Sequence, residues 1–253
     1  MVEFEARGRT AVITINRPEA RNAVNGAVAA GLQEAVERIE RDDALWIGVL
    51  AGAGPVFSAG ADLKEVAAGR VATLSTERGG FAGITRLERR KPLIAAVDGP
   101  ALAGGCEIVL ACDLVVASSG ASFGIPEVKR SLIAAAGGLF RLPRLLPRNV
   151  AMEMALTGDP IGAGRAHELG LVNELCEPGG AVDAAAALAE RICANAPIAV
   201  QLSRSVLLAG ASAADAQAWR LSEDAAQAVA QTEDYREGPQ AFIEKRAPVW
   251  VGR

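Results

Sequence analysis

The sequence predicts an α/β protein, a strand-and-helix core followed by a helical carboxy-terminal part, and three observations carry that prediction. Short apolar runs at Trp46–Ala51 and Leu93–Val97 each stop at a Gly-rich turn that feeds a helix, and Leu114–Ser118 supplies a third such run. Beyond about Ala181 the pattern becomes wholly helical, with AVDAAAALAERICANA, a run opened by Pro197 and a segment around Trp219 and Leu221. The 253 residues suffice for one large domain, or a core with an appendage, that buries a substantial core. The change of architecture falls near residue 195, which divides the chain into a core over 1–195 and a helical region over 196–253.

The elements follow in order. Residues 1–16 alternate around Gly8, with Val2 and Phe4 before it and Val12 to Ile15 after it, which predicts a β-hairpin. From Asn25 to Arg41, Val28, Leu32, Val36 and Ile39 recur at helical spacing. Residues 68–83 lose periodicity and fill with Gly, Thr, Ser and Arg, which predicts a mobile or variable loop. The run Arg86 to Lys91 reads as a solvated helix face, and the stripe Leu139, Leu142, Leu145, Leu146 as core. Leu169–Leu175 reads as a further short strand.

Composition narrows the function. A net charge of −4 without a basic tail argues against a nucleic-acid partner. The amino terminus is acidic and alternating, unlike a secretory signal, and no apolar run approaches a membrane span. The four cysteines lack CxxC spacing and His167 is the single histidine, so zinc is not expected; buried thiols in a cytoplasmic protein are. No GxSxG, GK[ST] or complete dinucleotide turn is present.

The richest stretch runs from Gly99 to Glu127. Glu107 follows Gly104-Gly105-Cys106 and opens an apolar run; Glu127 follows Phe123-Gly124-Ile125-Pro126. Either could be only a helix-start charge. Together they form the best acid/base pair in the chain. Two small-residue turns, Gly60-Ala61 and Gly104-Gly105, offer amides a ligand can approach, and two such amides would make an oxyanion hole, each donor worth about 3 kcal/mol in the transition state. A carboxylate pair beside such a hole can activate water and deliver a proton next to a thioester carbonyl.

Along nearly its whole length the chain resembles the enoyl-CoA hydratase/isomerase, or crotonase, superfamily. The resemblance rests on NRPEARNA at 16–23, FSAGADLKE at 57–65, KPLIAAVDGPALAGGCE at 91–107, ACDLVVASSGASFGIPE at 111–127, GDPIGAGRAHELGLVNEL at 158–175 and EGPQAFIEKRAPVWVGR at 237–253, in that order and spacing. It implies a crotonase-type spiral of ββα turns with a helical C-terminal trimerisation region, assembled as a homotrimer or a dimer of trimers. It implies that Ala61 and Gly104 donate to the thioester oxygen, with Glu107 mainly the base toward water and Glu127 the acid at the α-carbon. Arg21, Ala23, Ala59, Asp62, Leu63 and Lys64 match the region that receives the CoA moiety. Coenzyme A is then part of an acyl-CoA thioester substrate, and no metal or other cofactor is expected.

Retention of both glutamates points to the hydratase branch, since members with other reactions often replace one. One departure is LIAAAGG at 132–138, where hydratases more often carry Pro-Gly before Ala-Gly-Gly, and this bears on the acyl pocket. GGFAGIT at 79–85 and the carboxy-terminal motif look like carnitinyl-CoA dehydratases. That activity, an enoyl-CoA isomerase and a non-catalytic acyl-CoA binding member are the alternatives.

Overall fold

The computed structural model describes residues 1–253. Strands β1 (Val2–Arg7) and β2 (Thr10–Ile15) form the expected antiparallel hairpin. Helix α1 (Gly26–Arg41) buries Val28, Leu32, Val36 and Ile39, and Asn25 caps it by accepting the Val28 amide at 2.9 Å. Burying each of those large side chains stabilises the fold by about 1.5–3 kcal/mol, and the cap adds about 1 kcal/mol. Then come β3 (Ile47–Gly52), α2 (Leu63–Ala67), β4 (Ser75–Thr76), β5 (Gly80–Phe81) and β6 (Leu93–Val97). They are followed by β7 (Ala101–Leu102), α3 (Gly104–Ala111), β8 (Leu114–Ser118) and β9 (Ser122–Gly124). Helices α4 (Gly138–Leu145) and α5 (Arg148–Thr157) precede β10 (Ile161–Gly162), α6 (Ala163–Glu168) and β11 (Glu174–Cys176). The chain ends in α7 (Ala181–Cys193), α8 (Pro197–Gly210), α9 (Asp215–Ala230) and α10 (Asp234–Glu244).

The main sheet runs β1-β2-β3-β6-β8-β11, parallel from β2 onward, with Leu50 opposite Ala95 and Ala96 opposite Val116. Its inner strands β2, β3, β6 and β8 are buried on both sides, as parallel strands must be when helices cover both faces, while β1 and β11 are its open edges. Ala11, Ile13, Ala95 and Val97 pack with α1 and α3 on one side. The alternate residues Val12, Ile94, Ala96 and Val116 pack against Ala181, Ala185, Leu188 and Ala189 of α7 on the other. The small side chains of α7 let it lie close to the sheet. A second, short sheet runs β10-β9-β7. It stands past the carboxyl ends of β6 and β8, so each turn of the chain climbs from the main sheet into the small one and back through a helix.

Several sequence expectations need correction. Residues 68–83 hold a 3₁₀ turn at Val71–Leu74 and the β4–β5 hairpin, ordered by burial of Leu74 and Ala82, contacts that no local period encodes. The run Arg86 to Lys91 is not a helix face. Arg89 pairs with Asp113 and donates to the Ala111 carbonyl at 2.8 Å, while buried Lys91 donates to the Ile39 and Asp42 carbonyls at the end of α1. The strand expected at Leu169–Leu175 begins only at Glu174; Leu171 and Val172 are buried in the turn after α6 instead. Leu142 and Leu146 are core, but Leu139 and Leu145 face outward. Of the four free cysteines only Cys106 is fully buried. His167 sets its Nδ1 2.9 Å from the Val172 carbonyl and so closes that same turn. No single helix is long and apolar enough to cross a membrane.

Candidate active site

A cleft of about 930 Å³ opens at the carboxyl ends of β3 and β6, where the loops that leave a parallel sheet expose their amides. All ten residues singled out in the sequence line it: Arg21, Ala23, Ala59, Ala61, Asp62, Leu63, Lys64, Gly104, Glu107 and Glu127. They come from four segments that are more than 100 residues apart at the extremes, and close packing of loop on loop brings them together.

The first loop presents Ala61. Val24 forms a parallel bridge with it, in which the Val24 amide donates to the Gly60 carbonyl at 2.8 Å and the Val24 carbonyl accepts the Asp62 amide at 2.9 Å. Because backbone groups alternate in direction along an extended chain, the Ala61 amide must point the other way, and it donates to no group of the protein. Gly60 has φ +84°, and a Cβ there would stand 2.6 Å from the Gly104 nitrogen. Only glycine allows both that turn and that approach.

The second loop presents Gly104. Ala103 holds φ 52° and ψ −130°, a conformation that is strained for a side chain with a Cβ and costs about 1–3 kcal/mol. Its amide donates to the Gly124 carbonyl at 2.9 Å, and its carbonyl accepts the Cys106 and Glu107 amides, so the strain is held from both sides. The chain thereby turns straight into α3, leaving the Gly104 amide at the helix start without a partner. The Phe81 ring lies against Gly104, where a Cβ would come within 2.5 Å of it. Ala61 and Gly104 are thus two free donors on adjoining loops.

Glu107 sits one turn into α3, on the same face as Gly104. Its side chain is 3% exposed, and Oε1 accepts the Gly138 amide at 2.8 Å at the start of α4. Burial raises its carboxyl to about 7, against the pull of the Gly138 amide, with the nearby Glu127 raising it further. Glu127 lies on the 3₁₀ turn Pro126–Arg130, and burial raises it too. Its Oε2 is buried without a hydrogen-bond partner. A carboxyl in that setting favours the protonated form, because an ionised oxygen without a donor is costly to bury.

The residues expected to receive CoA separate into two groups. The Asp62 carboxylate is already committed: it accepts from Arg17 at 2.7 Å and from the Lys64 amide at 3.0 Å, capping α2, and Arg17 holds it well below the usual carboxylate range. Lys64 and Leu63 are exposed at the cleft mouth. Asn22, not singled out in the sequence, anchors the early loop: it is fully buried and donates to the Ala53 and Val56 carbonyls at 2.8 and 2.7 Å. Its place inside NRPEARNA was the available signal. Gly138 and Phe81 were also missed, since their importance depends on tertiary neighbours alone. Cys106, although adjacent, is pushed by burial up to about 12 and is no nucleophile.

The comparisons with known proteins agree with this geometry. A family model described as enoyl-CoA hydratase/isomerase matches residues 5–253. A carnitinyl-CoA dehydratase of Salmonella typhi is 37% identical over 247 residues, covering 95% of this chain and 94% of that protein. An enoyl-CoA hydratase structure from Mycobacterium tuberculosis H37Rv superposes with a TM-score of 0.96 at 48% identity, covering 100% of this chain and 99% of that one. A carnitinyl-CoA hydratase structure from Mycobacterium avium superposes with a TM-score of 0.79 at 47% identity, covering 100% and 98%. The architecture is the crotonase fold, and the chain belongs to the enoyl-CoA hydratase/isomerase family.

Proposed function

We propose that the protein is an enoyl-CoA hydratase, adding water reversibly and syn across the 2,3 double bond of a 2-enoyl-CoA to give a 3-hydroxyacyl-CoA. The observation that carries this reading is that a buried carboxyl, Glu107, and a half-buried one, Glu127, line the same cleft as the two unpartnered amides of Ala61 and Gly104. The thioester oxygen sits between those amides. Glu107, whose ionised form is supported by the Gly138 amide, takes a proton from water as the water oxygen bonds to C3. The C2–C3 π electrons move toward the carbonyl, and the enolate oxygen is held by the two donors. Glu127 then gives its proton to C2 as the enolate collapses. The product gains one water, and the carboxyl pair keeps one proton in total, now on Glu107. Hydration leaves the oxidation level unchanged, so this reading calls for no redox cofactor, and with the enolate charge held by two amides it calls for no metal; coenzyme A is substrate.

Arg21, Ala23, Ala59, Leu63 and Lys64 receive the CoA moiety in this reading, with the Arg17–Asp62 pair holding their loops in register. Residues 196–253 serve assembly into a trimer or a dimer of trimers. What supports that role is the apolar surface of α8 to α10, where Leu207 is 76% and Phe242 85% exposed.

A second reading, carnitinyl-CoA dehydratase, is favoured by the names of the relatives and by the residues at 79–85. Its substrate carries a trimethylammonium group, which calls for aromatic faces or free carboxylates. Phe81 is the one aromatic side chain on the cleft lining, beside Leu74, Leu132, Ile133, Ala135 and Ala136, and outside the catalytic pair the one lining carboxylate free of an ion pair, Glu77, is outnumbered by Arg86 and Arg130. That lining suits an uncharged acyl chain better. The test follows the conjugated enoyl-thioester ultraviolet absorbance: its loss with crotonyl-CoA and crotonobetainyl-CoA, and its gain with a 3-enoyl-CoA. Crotonyl-CoA is expected to give the highest kcat/KM, and no turnover of it would overturn the proposal.

A further inference from the structure

Arg141 has no part in the chemistry above, yet it touches both walls of the site. It lies on the first turn of α4, half-buried, and forms no ion pair closer than 4 Å with any carboxylate. Its Nη2 donates to the Thr85 carbonyl at 2.6 Å and its Nη1 to the Ala136 carbonyl at 3.2 Å. Thr85 belongs to the turn that carries Phe81, since the Thr85 amide and hydroxyl both donate to the Phe81 carbonyl, and Phe81 is the ring against Gly104. Ala136 belongs to the turn that delivers the Gly138 amide to Glu107. The guanidinium folds back over Gly137, which holds φ +112°; a Cβ there would stand 2.2 Å from Nη1, so the sequence needs glycine for the clamp to close.

We propose that Arg141 is a positioning residue: it fastens the Phe81–Thr85 turn beside the oxyanion donors to the Ala136–Gly138 turn that seats Glu107, so that donor and base keep their relative places. This rests on the hydration chemistry proposed above. A planar, permanently charged fork suits the task, because it reaches two carbonyls at once and a lysine reaches one. The charged and titratable groups around the seat are few. Glu127 faces Glu107 from the 3₁₀ turn, Arg141 from α4, and Cys106 from α3 itself. Arg144, Arg89 and Cys112 act on Arg141 itself. Arg141 is the one cation acting directly on Glu107, and its charge opposes the effect of burial on that carboxyl.

The test compares wild type, R141Q and R141K in the pH dependence of kcat and KM with crotonyl-CoA, alongside a ¹³C-NMR titration of the Glu107 carboxyl in the free protein, assigned by its loss in E107Q. R141Q is expected to lower kcat by about 10- to 100-fold, with a much smaller change in KM, because the reacting geometry loosens while the CoA region is untouched. Its acid limb and its Glu107 titration both move to higher pH. R141K keeps the charge, so its limb stays near wild type while kcat remains reduced. A double variant with E107Q is expected to lose little beyond E107Q alone. Wild-type limb and titration in a folded R141Q overturn the proposal, as does full kcat in R141K should R141Q not fold. If wild type turns over no enoyl-CoA, the hydratase reading fails separately, and the NMR titration still decides the role of Arg141.

Discussion

The spiral core and the helical carboxy-terminal region spend their apolar residues in opposite ways. In the core, the alternate faces of β2, β3, β6 and β8 are covered by α1 and α3 on one side and α7 on the other. In α8 to α10 only Pro197, Asp234 and Ala241 are buried, while Leu207, Leu208, Trp219, Phe242 and Ile243 face outward. The lesson is one of completeness. The core contains every group the proposed chemistry needs and covers both faces of its sheet, leaving apolar side chains outward mainly on α4 and α5, such as Phe140 and Leu156; the helices beyond it leave nearly all of theirs for something else to cover.

The sharpest break between the two regions is expected from the glutamates. E107Q and E127Q should each lower kcat by about 10²–10⁴ while circular dichroism and the assembly state stay unchanged, and any loss of assembly would blur the division. The converse is L207D with F242D. Two charges on the outward faces should shift the mass measured by light scattering to that of a monomer, and an unchanged mass would show that those faces do not join copies.

A smaller effect separates stability from catalysis inside the core. The Glu107 carboxyl rises from an ordinary 4.5 to about 7 in the folded protein, so between those values the folded state binds the extra proton. Stability from this group is therefore present below about 4.5 and lost as pH rises toward 7. Replacing the charge by E107Q should raise the melting temperature at pH 8 by a few degrees and by less at pH 5; equal shifts at both would remove burial as the cause. The smallest effect is expected from A103G. Glycine relieves the strained φ at the head of α3, so melting should rise by about 2 °C while kcat falls as the Gly104 amide gains freedom.

Much of this was legible in the chain and some was not, for a consistent reason. The β1–β2 hairpin and α1 were readable because alternation and the spacing of Val28, Leu32, Val36 and Ile39 are local facts. That Glu107, Glu127, Ala61 and Gly104 meet in one cleft was readable because they sit in ordered motifs. Lys91 was misread because what buries it, the carbonyls of Ile39 and Asp42, lies some fifty residues away in sequence. Leu74 and Ala82 gave no pattern because the β4–β5 hairpin is too short to have a period. Leu139 and Leu145 fit a core stripe in sequence, yet α4 turns only Leu142 and the following Leu146 inward, and one helix face cannot report which of its neighbours the fold supplies.

Gly104 and Glu107 share the first turn of one helix, while Glu127 stands on a separate 3₁₀ turn. In the proposed hydration, enolate formation and the second proton are thus carried by separate parts of the chain. A substitution at position 127 would silence the protonation of C2 and leave a thioester-polarising scaffold with one base intact, ready for a reaction of a different outcome. Loss of the α3 turn would take donor and base together. For the proposed chemistry, a single substitution can therefore alter the outcome at position 127 without disturbing 104–107, and the boundary between them is set by which residues ride on the same helical turn.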